Sequence, residues 1–92
     1  MDRLDDSEIE GRLANLEGWE RVGDAICKEF ERHDFVGSVD FARAIVGPAE
    51  ELGHHPDLSI SWDTVTVTIT THSEGGLTAS DFELAERIDA LA

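Results

Sequence analysis

Apolar residues recur along the chain with two different periods, and the alternation between those periods lays out the fold. Ser7-Glu8-Ile9-Glu10 fits a capping box, and Ile9, Leu13 and Leu16 follow at i, i+4 and i+7, which predicts a short amphipathic helix ending near Gly18. The period then drops to two. Trp19-Glu20-Arg21-Val22 and Ala25-Ile26-Cys27-Lys28-Glu29-Phe30 flank Gly23-Asp24, predicting a hairpin with Ile26 and Phe30 on one face and Cys27 and Glu29 on the other. Val39, Ala42, Ile45 or Val46, Ala49 and Leu52 restore helical spacing up to Gly53, a natural stop. Pro48 lacks an amide proton, so it is expected to kink this second helix. Leu58-Ser59-Ile60-Ser61-Trp62 and Val65-Thr66-Val67-Thr68-Ile69-Thr70 alternate again, around a turn at Asp63-Thr64, with one apolar and one hydroxyl face. Thr78-Ala79-Ser80-Asp81 then opens a third helix: Thr78 caps it, Asp81 completes the box, and Leu77 can staple to Phe82. Leu84, Ala85, Ile88 and Leu91 supply its buried stripe. The order α-β-β-α-β-β-α predicts an α+β fold, a four-stranded antiparallel sheet with the helices on one face, as a single domain over residues 1–92.

Length and charge refine this picture. A chain of 92 residues buries only about 60–65% of the surface it would expose unfolded, so the core is thin and self-association is expected. Twenty-one acidic residues against seven basic ones give a formal charge of −14, which disfavours nucleic acid and anionic membranes as partners. The acids are interspersed with periodic apolar residues and so read as solvated faces of a folded domain. Lys28 is the only lysine, and many carboxylates with few lysines suit a protein kept hydrated at high salt. No apolar run approaches the roughly 18 residues of a membrane span, and Met1–Asp6 lacks signal-peptide character. Cys27 is unpaired, so no intrachain disulfide is possible, and a cytoplasmic location fits.

Candidate chemistry concentrates at the element boundaries between residues 50 and 81. His54 and His55 follow the second helix, and His72 follows the last strand ahead of Gly75-Gly76. Imidazole exchanges protons near neutrality, and boundary positions let side chains converge on a pocket. Pro56 pushes His55 toward extended backbone, where consecutive side chains diverge, so the two adjacent rings should do different work. Glu50 stands four residues before His54, one helical turn back, within reach to orient its ring or a ligand. Three histidines with Glu50 could also ligate a divalent metal, although neither a helical H-x-x-x-H nor a C-x-x-C spacing is present. Trp19, Trp62, Cys27 and His33 are read as packing or surface residues, and Asp81 as a capping acid.

The string Glu50-x-x-x-His54-His55-Pro56, with Trp62, Val65, Thr71-His72, Gly76-Leu77-Thr78 and Asp81, resembles the pterin-4a-carbinolamine dehydratase family. Gly18-Trp19, Asp24-Ala25-Ile26-x-Lys28-x-Phe30 and Asp34-Phe35 extend the likeness over nearly the whole chain, while Pro48 and the acidic surface depart from it. The resemblance implies dehydration of 4a-hydroxytetrahydropterin to quinonoid dihydropterin without metal or cofactor, by a homodimer or homotetramer. It implies that His54 and His72 form the acid–base pair and that His55 grips the pterin. Glu50, Pro56, Thr71 and Asp81 are the further substrate-binding candidates. Animal members also act as dimerisation cofactors for a transcription factor. A pterin-binding or regulatory role, or work on another pterin such as in molybdopterin metabolism, is the alternative.

Overall fold

The computed structural model describes residues 2–92, arranged as α1 (Asp6–Leu13), β1 (Glu20–Val22), β2 (Ala25–Glu31), α2 (Phe35–Leu52), β3 (Asp57–Ser61), β4 (Thr64–Ile69) and α3 (Ala79–Leu91), with a 3-10 turn at His72–Glu74 before α3. The four strands form one antiparallel sheet in the order β1-β2-β4-β3. Period-two alternation creates its two faces. Ile26, Phe30, Val65, Val67 and Ile69 point to the helices and are buried, while Thr64, Thr66 and Thr68 line the opposite, uncovered face with Cys27. Each fully buried Ile or Val contributes about 1.5–3 kcal/mol, so these alternating positions, with Ile45, Leu84 and Ile88 from the helices, carry most of the core.

Several element boundaries differ from the expected ones. The α1 capping box is made by Asp5 and Glu8 instead of Ser7 and Glu10, and Leu4 N–H donates to the Leu77 carbonyl at 2.8 Å, which fixes where the chain enters the helix. The helix stops at Leu13, short of Gly18. The second helix begins at Phe35, capped by Asp34, and runs unbroken through Pro48 to Leu52. Proline withholds one hydrogen bond there, from the carbonyl of the exposed Ala44, which water can serve. The β3–β4 turn is Trp62-Asp63, one residue earlier than expected, with Trp62 in the left-handed region at φ 48°. Ser38, wholly buried, donates its hydroxyl to the Trp62 carbonyl at 2.7 Å and holds that turn against α2. Leu91, expected in the α3 stripe, lies in the last turn and is exposed.

The lone lysine is built into the structure. Lys28 lies 4.8 Å from the centroid of the Phe30 ring and reaches Asp89 of α3 at 3.0 Å and the Glu17 carbonyl at 2.9 Å. The buried Trp19 indole donates to the same Asp89 carboxylate at 3.1 Å. This junction ties the α1–β1 connection, β2 and α3 together.

Candidate active site

Gly53 decides where the two adjacent histidines go. It ends α2 in the left-handed conformation at φ 61°, with its amide on the carbonyls of Ala49 and Glu50, and His54 N–H also returns to Ala49 at 3.0 Å. The chain thereby leaves the helix before His54, so the helical i, i+4 relation between Glu50 and His54 does not apply. Glu50 meets His55 instead, with Oε2 at 2.5 Å from His55 Nε2, in a pair whose side chains are both more than half exposed. The expected Glu50–His54 contact is therefore corrected to Glu50–His55.

His54 turns the other way. Its side chain is 15% exposed, and its Nε2 lies 2.5 Å from Oδ1 of Asp81, which is wholly buried. Asp81 sits in the first turn of α3, and its other oxygen, Oδ2, accepts from the Thr78 backbone N–H at 2.8 Å and from the Thr71 hydroxyl at 2.8 Å. The Thr71 and Thr78 hydroxyl oxygens are 3.0 Å apart. A buried carboxylate is tolerated when its lone pairs are met, and every lone-pair direction used here has a donor. The capping acid anticipated from sequence is thus also the partner of a histidine 27 residues away, which no local pattern could have indicated.

His72 opens the 3-10 turn and is exposed. Its position is set by its neighbour, because Thr71 hydrogen-bonds Asp81 and pairs through its backbone with Gly76. The N-terminal arm braces the far side of the turn. Arg3 donates to the Gly75 carbonyl at 3.4 Å, and its stem fills the space above Gly76, where a Cβ would come within 2.6 Å of Arg3 Cδ. His54 and His72 thus hang from one junction of Thr71, Thr78 and Asp81. Glu50, His55 and Pro56 line a separate cavity of about 180 Å³ whose other walls are Ala42, Ile45, Val46, Ala49 and Leu58. Among the described residues, no three His, Cys, Asp or Glu side chains gather in a metal-holding cluster.

A family-wide sequence model described as Pterin 4 alpha carbinolamine dehydratase matches residues 2–91. The chain belongs to the pterin-4a-carbinolamine dehydratase family. A relative from Thermosynechococcus vestitus, named as a candidate pterin-4-alpha-carbinolamine dehydratase, is 53% identical over 99% of this chain and 96% of its own length. A like-named protein from Natronomonas pharaonis is 47% identical over 99% of this chain and 97% of its own. Among solved structures, the transcriptional coactivator/pterin dehydratase from Brucella melitensis superposes with a TM-score of 0.94 at 36% identity, covering 99% of both chains. The pterin dehydratase resemblance and the α-β-β-α-β-β-α fold expected from the sequence both hold.

Proposed function

We propose that the protein is a hydro-lyase that dehydrates 4a-hydroxytetrahydropterin to quinonoid dihydropterin and so supports tetrahydrobiopterin recycling. The observation that carries this is the shared junction: Asp81 holds His54, and Thr71, bound to the same carboxylate, leads directly into His72. In the reaction the C4a–O bond breaks, a C=N bond forms to the adjacent ring nitrogen, that nitrogen loses its proton, and the hydroxyl departs as water after gaining one. Two imidazoles supply this exchange, each contributing about 10²–10⁴-fold. His55, paired to Glu50, grips the pterin with Pro56, and the apolar cavity beside them suits one face of a flat heterocycle. Thr71 and Asp81 do not line that cavity; they support His54 from behind, Asp81 directly and Thr71 through the Asp81 carboxylate. No metal or cofactor takes part.

The protein works as a homodimer or homotetramer. Edge strand β3 is exposed along its length, and Leu58, Ile60, Val46 and Trp62 are exposed apolar side chains. Among the described residues no helix is long and apolar enough to cross a membrane. From the single cysteine and the charge of −14 we assign a cytoplasmic location, a surface adapted to high salt, and no nucleic-acid partner.

The decisive test is a dehydration assay with synthetic carbinolamine. His54→Ala and His72→Ala should each lose at least about 100-fold in turnover while remaining folded by circular dichroism. Near-wild-type turnover in either variant refutes the assignment. The Brucella melitensis structure carries a coactivator title beside its dehydratase one, which favours a binding or regulatory role as the second reading. Tight pterin binding without turnover in the same assay would select it.

A further inference from the structure

We infer that a second copy of this chain pairs along β3 and that Trp62 of the partner subunit closes the cavity beside His55 and Pro56. The site that grips the flat ligand is then complete only in the dimer. The inference deepens the pterin reading proposed above and rests on it for the identity of that ligand.

Trp62 breaks a local rule. It stands in the tight turn between Ser61 and Thr64, in the left-handed region at φ 48°. Glycine, asparagine or aspartate is the usual choice at such a position, and a bulky side chain there is strained. Ser38, wholly buried in α2, holds the strained residue by donating to its carbonyl at 2.7 Å. The indole gains little packing within its own chain in return, because Trp62 is 69% exposed. A strained residue that is fixed from behind and left open to solvent is a presented anchor, and tryptophan is enriched among the residues that carry binding energy at interfaces.

The strand beside it identifies the occupant. A tight turn makes Ser61 and Thr64 a hydrogen-bonded pair, and alternation extends this to Ser59 with Thr66 and Asp57 with Thr68. The backbone N–H and C=O groups of Leu58 and Ile60 therefore point away from β4, off the open edge of the sheet. Such an edge is self-complementary in antiparallel pairing about a two-fold axis. The registers that mate these groups set Leu58 against Leu58, Leu58 against Ile60, or Ile60 against Ile60. Trp62 then falls opposite His54, Pro56 or Leu58 of the partner subunit, respectively. The last register also opposes Asp57 to Asp63, a like-charge pair, so the first two are preferred.

Every register brings the indole to residues 54–58, the stretch that gives His55, Pro56 and Leu58 to the 180 Å³ cavity. Leu58 and Ile60 stand opposite the buried Val67 and Val65, so they face the α2 side of the sheet, where the cavity lies. The walls of that cavity come from α2 and from residues 55–58, and no other element of the chain closes it. An indole laid across the opening gives a flat heterocycle an aromatic face to stack on. The same pairing covers the exposed Leu58, Ile60 and Val46.

Mixing two variants tests this, read by binding of 7,8-dihydropterin and by sedimentation. The buffer holds about 1 M KCl, where a screening length of about 3 Å suppresses repulsion between copies of formal charge −14. Trp62→Gly, which relieves the positive φ, and His55→Ala should each fold and each weaken binding at least about tenfold. Refolded together in equal amounts, they form mixed dimers in which one cavity combines His55 of one chain with Trp62 of the other. About one quarter of the wild-type number of tight sites should return. No recovery on mixing overturns the inference. Ile60→Pro, which removes an outward N–H from the edge, should sediment as a smaller species than the wild type and bind as weakly as Trp62→Gly. Wild-type binding by that variant also overturns it. If the wild type associates with Trp62 shielded from acrylamide but binds no dihydropterin, the pterin reading falls and the β3 interface stands.

Discussion

His54–Asp81 and His55–Glu50 are the same contact in two solvents. Each joins an imidazole Nε2 to a carboxylate oxygen at 2.5 Å, from neighbouring residues of one chain. The His54 pair is 15% and 0% exposed, whereas the His55 pair is 64% and 66% exposed. Water and salt screen the outer pair, so its contribution is about 0–1 kcal/mol and its geometry is free to change when a ligand arrives. The inner pair is enclosed, its carboxylate is held by two further donors, and breaking it leaves buried polar groups without partners. Distance alone thus says little about what a histidine–carboxylate pair does. The inner pair suits a fixed proton-transfer geometry, and the outer one suits a grip that must open and close.

The largest break in this comparison is expected from Asp81→Ala. It removes the partner of His54 and of the Thr71 hydroxyl together with the α3 capping acid, and urea unfolding should show a loss of about 3 kcal/mol or more. A loss under about 1 kcal/mol would mean that burial does not separate the two pairs. Next comes His55→Ala, which should raise KM more than it lowers kcat; the reverse pattern would assign the outer pair to chemistry. The smallest effect should be that of Glu50→Gln on folding, at most about 1 kcal/mol and vanishing in molar KCl as the exposed pair is screened. Measured over the same KCl series, the wild-type urea midpoint should rise if the acidic surface is an adaptation to salt, and a flat series would remove that idea.

Much of the fold was legible because its signals are local. The alternation in β2 and β4 identifies which side chains face the helices, and Gly53 marks the end of α2. The misplaced boundaries are those that distant contacts decide. Asp5 and Ser7 both precede a glutamate at the right spacing, and the choice between them falls to the backbone bond from Leu4 to Leu77. Phe35 and Val36 are exposed, so they carry no core stripe to announce the start of α2. At the site, the three histidines and Glu50 could be picked out by residue type and position. Their pairing could not be, because one left-handed residue redirects the chain and a carboxylate from another helix arrives in the space. Thr71 and Thr78 look like strand-end and cap residues in sequence, and only their hydroxyl contacts reveal them as supports of His54.

The two tryptophans divide the molecule spectroscopically. Trp19 is 5% exposed and bound to Asp89, whereas Trp62 is 69% exposed at the tip of the β3–β4 turn. Emission from Trp62 is open to a neutral collisional quencher such as acrylamide, and Trp19 is shielded from it until the chain unfolds. A negatively charged quencher such as iodide faces the repulsion of a chain carrying a formal charge of −14. Without any attached dye, the chain carries one fluorophore that reports on the integrity of the core and another that reports on whatever docks at the exposed hairpin.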